Sequence, residues 1–283
     1  MSIAVDQRAT LGTVNGGTTV NCQFNTKPTG GDTVIVLISA GNFSSNSALA
    51  TGVVDAAGNT YTKRVSLEAA SHGAAAEIWS CDSVAVPGGT WTVTPTWAAG
   101  TFGSVSAVSI SSCLGFDASG TTSGTNPTTA WSTGANSSVA GDYFVGVMAV
   151  DSGSGAAGVA STSTSWVDQQ AVQNGTVSEC YLYADLTTYP TASLQTWTGT
   201  FSSPGTWDYV AVVACFKPSN PAPTGAGGPF PQIFAMNGPY NPRRLNFWQA
   251  YPAPAPMPNP AFVPSIRRPG DPWRPARHWE GIR

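Results

Sequence analysis

The chain has 283 residues, only 10% of them charged, and a formal net charge of −3 at pH 7. Its length allows one or two domains with substantial cores. The first residues lack the charged and apolar segments of a secretory signal, and no apolar run is long enough for a transmembrane helix. We therefore expect no signal peptide and no membrane-spanning helix.

The composition favours an all-β protein. The chain contains 31 Gly, 10 Trp and many Thr and Ser, a mixture typical of short strands joined by tight turns. Residues 1–217, which we call the body, alternate apolar runs with turn residues and contain no amphipathic helix pattern. The pattern predicts that the body is an antiparallel β-sandwich.

Two segments of the body define its strands most clearly. Residues 34–38 are continuously apolar, as in a central strand that is covered on both faces. Residues 90–97 alternate, which places Trp91, Val93 and Pro95 opposite the threonines. Because proline cannot donate a backbone hydrogen bond, Pro95 marks an edge or a bulge.

The landmarks of the first half of the body recur in the same order in the second half, which predicts an internal duplication. The matched landmarks are Asp32 with Asp142, Glu77 with Glu179, and the closing strands 104–110 with 209–215. The offset between them drifts, as expected for small loop insertions.

The duplication predicts three segments. Residues 1–115 form a first β-sandwich repeat, residues 116–217 a second, and residues 218–283 an extended C-terminal arm. The repeats could be two Ig-like domains in tandem or one merged, jelly-roll-like body with internal pseudo-symmetry. The linker between them, residues 115–125, is short, and this favours the merged body.

Several strand and turn motifs of the body lie in a familiar order. Residues 53–62 (VVDAAGNTYT) are followed by Ile78-Trp79 and by residues 91–94 (WTVT). This order resembles the β-sandwich modules of bacteriophage virion structural proteins and of some bacterial surface proteins. The resemblance covers about residues 20–217 and implies a non-enzymatic decoration or fibre module. It transfers no functional residues.

The segment from Asp55 to Asn59 could be interpreted as a calcium-binding loop or, more simply, as a β-turn. It lacks the alternating acidic ligands and the terminal glutamate of a calcium loop. We expect a β-turn, in which Asp55 and Asn59 bond the backbone and Gly58 adopts a positive φ. No metal and no cofactor are expected.

Candidate catalytic residues are few. His72 is the only histidine of the body and has no nucleophile motif to serve, so we expect a solvent-exposed loop residue. Glu77 and Glu179 could act as the paired carboxylates of a glycosidase. A duplicated structural role is simpler, so we expect no enzymatic activity.

The cysteines favour buried, reduced side chains. They have no CxxC spacing and only two histidines to join them, so a zinc site is not expected. Their odd number without a secretory signal argues against a disulfide framework. The five are Cys22, Cys81, Cys113, Cys180 and Cys215.

The tryptophans of the body have two interpretations. Flat aromatic faces could stack on sugar rings, which would make the body a carbohydrate-binding module. Tryptophans of a two-layer body more often fill its core. The seven are Trp79, Trp91, Trp97, Trp131, Trp166, Trp197 and Trp207.

The arm differs from the body in charge and composition. The body carries five Lys or Arg and thirteen Asp or Glu, a net charge of −8, whereas the arm carries seven Arg and two acids, a net charge of +5. The arm is rich in proline, which favours an extended conformation that loses little entropy on binding. Its arginines are scattered, so nucleic acid is a poor candidate partner.

Aromatic residues and arginines are the types enriched at interface hot spots, so the arm is the expected partner-binding site. Its aromatic anchors are Phe230, Phe234, Tyr240, Phe247, Trp248, Tyr251, Phe262, Trp273 and Trp279. Its partner-binding arginines are Arg243, Arg244, Arg267, Arg268, Arg274 and Arg277.

The sequence supports three functions. The first is a virion structural protein of the capsid-decorating or head-fibre type, assembled in the host cytoplasm and attached to neighbouring subunits by its arm. The second is a carbohydrate-binding adhesin module on a fibre or cell surface. The third is a subunit of a non-viral extracellular filament. The first combines the resemblance of the body with the composition of the arm.

Overall fold

Every regular element in the described part of the chain is a β-strand. The computed structural model describes residues 3–42, 46–86, 89–125, 130–137, 139–151, 159–162, 165–174, 179–186, 192–201 and 208–219. No helix among them is long and apolar enough to span a membrane. The arm lies outside the described residues, apart from Pro218 and Ser219.

The first half of the body contains eight strands in one sheet system. They are β1 (Ala4–Arg8), β2 (Gly12–Thr19), β3 (Cys22–Phe24), β4 (Thr33–Gly41), β5 (Gly52–Asp55), β6 (Thr62–Glu68), β7 (Ala75–Cys81) and β8 (Trp91–Ser111). The main order is β1-β8-β4-β7-β6, and β2, β3 and β5 also pair with the long strand β8. All of these pairings are antiparallel.

The second half contains eight further strands in two antiparallel sheets. They are β9 (Cys113–Thr125), β10 (Ala130–Asn136), β11 (Tyr143–Asp151), β12 (Val159–Ser161), β13 (Trp166–Asn174), β14 (Glu179–Leu186), β15 (Leu194–Phe201) and β16 (Asp208–Pro218). One sheet has the order β13-β14-β11-β16-β9, and the other has the order β10-β15-β12. The all-β, antiparallel prediction is therefore confirmed.

Strand β4 shows why its sequence is continuously apolar. Its side chains from Val34 to Ile38 are at most 2% exposed. Val34, Val36 and Ile38 belong to one hydrophobic cluster, and Ile35 and Leu37 belong to another. Successive residues of a strand point to opposite faces, so a strand that is covered on both faces needs apolar residues throughout. The prediction of a central, doubly covered strand is confirmed.

The second of these clusters is shared by both halves of the body. Ile35, Leu37 and Ile78 of the first half pack with Val145 and Val212 of the second half. The described residues accordingly belong to a single compact unit. Because apolar burial stabilises by roughly 25 cal/mol per Å², a core that crosses the boundary couples the stability of the two halves.

The alternating segment at the start of β8 is confirmed. Trp91, Val93, Pro95 and Trp97 are buried, and the threonines between them are half-buried. Trp91 lies against Phe24 of β3, with ring centroids 5.5 Å apart. On one side of β8, Pro95 lies between the residues that pair with β3 and those that pair with β2, where a missing N–H costs little.

The turn after β5 forms as predicted. The Oδ1 atom of Asp55 accepts hydrogen bonds from the backbone N–H groups of Ala57 (2.9 Å) and Asn59 (3.1 Å). Gly58 has a φ of 75°. The side chain of Asn59 bonds the backbone of Ala85 in both directions. The turn therefore uses its polar residues to satisfy the backbone.

We expect Asp55→Ala to destabilise the protein by about 1–2 kcal/mol, because it orphans two backbone donors and the Tyr61 hydroxyl. Urea unfolding followed by tryptophan fluorescence measures this loss. Asp55→Asn keeps an acceptor oxygen and should recover most of it. A loss below about 0.5 kcal/mol for the alanine variant would show that the turn forms without the Asp55 side chain.

The strand register corrects two of the matched landmarks. If Asp32 is equivalent to Asp142, then Ile38 is equivalent to Met148. Ile38 pairs with Glu77, whereas Met148 pairs with Leu182, so Glu77 and Glu179 do not occupy matching positions. Ile38 also pairs with Val105, and Met148 pairs with Ala211. The sequence match aligns Val105 with Val210, so it is displaced by one residue. A one-residue error reverses the face of a strand, and sequence matching alone cannot detect it.

Candidate functional sites of the body

Glu77, one of the two carboxylates considered for catalysis, is held by contacts inside the core of the first half. Its side chain is fully buried and forms a 2.8 Å ion pair with the Lys63 ammonium. It also accepts hydrogen bonds from the Trp79 indole (3.0 Å) and from the backbone N–H of Ala50. Burial raises the pKa of the Glu77 carboxyl, and the Lys63 ammonium counteracts part of that rise. The side chain of Glu179 lies outside the described set, so no catalytic pair is defined.

His72 is held in its loop by the Glu68 side chain and by backbone hydrogen bonds with Ala69 and Asn42. Its Nδ1 atom lies 3.0 Å from Oε1 of Glu68, and its φ is 60°. The side chain is 36% exposed, in keeping with the predicted loop position. The same Glu68 carboxylate accepts hydrogen bonds from Ser47 and from the backbone of Ala48. Glu68 therefore links the loop that contains His72 to the loop that contains Ser47 and Ala48.

The six described tryptophans of the body do not form a surface platform. Six of the seven are at most 8% exposed, which confirms the core interpretation for them. Trp131, Trp166 and Trp197 pack on one another in the second half, with centroid distances of 4.6 Å and 5.4 Å. Trp207 lies outside the described residues.

A buried polar network joins the two halves of the body. Arg8 of β1 forms an ion pair with Asp185 of β14, a residue that is 3% exposed. The same carboxylate accepts hydrogen bonds from the Tyr143 hydroxyl (2.9 Å) and from the Gln169 amide (2.5 Å). Burial and the Asp185 charge raise the pKa of Tyr143, so this hydroxyl keeps its proton and donates it. The network is fully partnered at Asp185, as a buried charge requires.

Two further carboxylates meet where the arm leaves the body. Asp117 of β9 and Asp142, which precedes β11, lie beside the Cys215 thiol, with their donor atoms within 4.8 Å of one another. These are donor types that bind cations. However, the Lys217 ammonium lies 2.7 Å from Asp117, and burial raises the pKa of the Cys215 thiol to about 12. We therefore assign no metal to this cluster.

The four cysteines whose side chains are described form no disulfide with one another. Cys22, Cys81 and Cys215 are buried, and Cys113 is half-buried. Burial raises the pKa of the Cys22 thiol to about 12, so it is a poor nucleophile.

Most cations of the body are engaged by its own carboxylates. Four of its five Lys and Arg residues form ion pairs within the described residues. These pairs are Arg8 with Asp185, Lys63 with Glu77, Arg64 with Asp82, and Lys217 with Asp117. The fifth cation, Lys27, lines a shallow groove with Gln23, Asn25 and Thr26 above the Phe24–Trp91 pair.

The predicted partner-binding residues of the arm, from Phe230 to Trp279, lie outside the described residues. The root of the arm is described: Pro218 is the last residue of β16, and the backbone N–H of Ser219 donates to the carbonyl oxygen of Ser112 (2.7 Å). Comparisons of the chain with protein-family models, with curated proteins and with solved structures found no match.

Proposed function

We propose that this chain is a virion structural protein of the capsid-decorating or head-fibre type. Its body is a rigid β-structure, and its basic, aromatic arm attaches it to neighbouring copies or to other virion proteins. The observation that carries the proposal is the separation of charge. The body engages four of its five cations internally and keeps a net charge of −8, whereas the arm carries a net charge of +5.

The partner of the arm follows from this separation. Arginine binds carboxylates in a bidentate geometry, and complementary charge speeds association and selects partners. On a neighbouring copy, the arm would meet a body with a negative net charge. Few Lys and Arg side chains of that body would compete with the arm for its carboxylates. The aromatic side chains of the arm would supply the apolar anchors of the interface.

We also propose that the body consists of two copies of one β-sandwich unit. The order β1-β8-β4-β7-β6 in the first half corresponds to β9-β16-β11-β14-β13 in the second. The remaining strands also correspond. In the first half, β3 and β5 pair with β8, and in the second half, β10 and β12 pair with β15. Gly31 and Gly141, which precede the matched aspartates, both have a φ of 94°. Repeated rigid modules of this kind suit a surface or fibre protein.

Removal of residues 220–283 tests the role of the arm and leaves β16 intact. We expect the truncated body to keep its β-sheet circular dichroism but to lose co-sedimentation with particles from cells that produce them. A full-length variant with all seven arm arginines changed to glutamine should also lose it. The matched arginine-to-lysine variant keeps the charge and should retain part of the binding. Unchanged co-sedimentation of the truncated body would refute the attachment role.

The groove beside Lys27 supports the second candidate, a carbohydrate-binding module. Its lining of amide, hydroxyl and ammonium groups can hydrogen-bond sugar hydroxyls. A glycan array probed with the full-length chain tests this function. Binding that survives removal of the arm and is lost on Gln23→Ala would favour the adhesin over the virion protein. A third candidate, a subunit of an extracellular filament, shares the arm-dependent assembly of the first.

A further inference from the structure

The carboxylates of Asp117 and Asp142 are buried close together, and one cation, the Lys217 ammonium, lies beside Asp117. Asp142 is 1% exposed, and the side chain of Asp117 is 6% exposed. The Lys217 ammonium balances Asp117, and the Ser137 hydroxyl donates to Oδ2 of Asp142 at 2.7 Å. Oδ1 of Asp142 accepts no hydrogen bond from the described residues. An unpartnered, charged oxygen at this depth is costly, and a proton on it removes the cost.

A β-bulge with an aspartate occurs at the matching strand in each half of the body, although Asp6 in the first half is exposed. Asp117 is the extra residue of a β-bulge, between Phe116 and Ala118 in the register with β16. Asp6 is likewise the extra residue between Val5 and Gln7 in the register with β8. Each bulge therefore places an aspartate next to the aspartate of a Gly-Asp turn.

Each bulged aspartate faces an equivalent partner. The Asp32 carboxylate accepts hydrogen bonds from the backbone of Thr29 (2.9 Å) and from the Ser109 hydroxyl (3.1 Å). In the strand register, Ser109 has the position that Cys215 has in the second half. Burial raises the pKa of Asp6, the Ser111 hydroxyl opposes this rise, and the Asp32 charge adds to it.

We propose that Asp117 and Asp142 share one proton and form a pH-dependent latch that holds β9 and β16 to the turn before β11. In the protonated latch, Asp142 donates from Oδ1 to the Asp117 carboxylate, which also binds Lys217. When the proton leaves, two buried anions face one ammonium. The latch then weakens at the strand end from which the arm departs.

The direction of the pH effect follows from the charges around Asp142. Burial and the Asp117 carboxylate raise its pKa to about 6, although Ser137 opposes the rise. The other titratable groups nearby are Lys217, Cys215, Cys113 and, further away, Asp82. A carboxyl with a raised folded-state pKa stabilises the fold fully below its unfolded pKa, and that stabilisation is lost as the pH rises through the folded pKa. Stability should therefore fall between about pH 4 and pH 6 on account of this group.

Urea unfolding of the full chain across this pH range tests the latch with Asp142→Asn. The asparagine amide can donate to Asp117 at every pH. The unfolding free energy of the variant should no longer depend on pH in this range. Above about pH 7, its unfolding equilibrium constant should be up to about 100-fold smaller than that of the native chain, because two pKa units correspond to that factor. Asp168→Asn is the matched control, because it removes one carboxylate that lies outside both pairs, and it should keep the native pH profile. Parallel profiles for Asp142→Asn and the native chain would overturn the proposal.

A direct titration covers the case in which the variant does not fold. Carboxyl ¹³C NMR of the native chain should show one group of the pair titrating near pH 6, and Asp117→Asn should lower that pKa because it removes the neighbouring charge. A pair that titrates normally overturns the latch. Calcium, magnesium or zinc salts, added singly at millimolar concentration above about pH 7, test the competing cation site. A metal-induced rise of the unfolding midpoint that Asp142→Asn abolishes would also overturn the shared proton.

Discussion

Replacement of Asp185 by alanine should destabilise the protein by about 3 kcal/mol, because it removes a buried carboxylate and leaves the half-buried Arg8 guanidinium without its counter-ion. The variant also removes the acceptor for the Tyr143 hydroxyl and for the Gln169 amide. The network lies where the two halves share a hydrophobic core, so its loss weakens their mutual packing. Urea unfolding monitored by tryptophan fluorescence measures the effect, and separate transitions for the two halves are the expected secondary sign.

An arginine ion pair with a more exposed carboxylate provides the control for Asp185. Arg64 and Asp82 are paired at 2.6 Å, but the Asp82 side chain is 38% exposed. Exposed pairs contribute roughly 0–1 kcal/mol, so Asp82→Ala should cost much less than Asp185→Ala. Equal losses for the two variants would show that the Arg8–Asp185 contact does not join the halves as described.

Replacement of Glu77 by alanine should cost about 3–5 kcal/mol, the range for a buried ion pair that loses one partner. The change removes the acceptor for three donors, from Lys63, Trp79 and Ala50, and leaves a cavity in the core of the first half. Glu77→Gln fills the same volume and keeps one acceptor oxygen, so it should cost clearly less. The unfolding midpoint in urea and the slope of the transition distinguish the two variants.

The Glu77 prediction also separates a structural from a catalytic role. A buried residue that only supports the fold changes stability and leaves any surface binding by the folded protein intact. Native stability of Glu77→Ala to within about 1 kcal/mol would contradict the structural role.

Local features of the fold followed directly from the sequence. The doubly covered strand β4, the alternating segment of β8 and the turn at Asp55 each depend on a pattern of fewer than ten residues. Such patterns report whether a face is buried, and a polar turn residue satisfies its own backbone. The predictions therefore agreed with the structure wherever the determining contacts were local.

Long-range features could not be obtained in the same way. Arg8 and Asp185 are 177 residues apart, and neither has a local signature of a buried pair. The apolar pattern of β4 did not reveal that one of its faces contacts the other half. The match of Glu77 with Glu179 was wrong because the connection between β4 and β6 contains more residues than the connection between β11 and β13, which shifts the register relative to the residue count.

Limited proteolysis with mass readout tests the attachment role of the arm most directly. The full-length chain is compared free in solution and within the particle into which we propose that it assembles. Our account predicts cleavage throughout residues 220–283 in the free chain, a stable fragment that ends near Ser219, and protection of the arm in the particle. A free chain whose arm resists cleavage as well as the body does would contradict the account, because the arm would then pack on its own body.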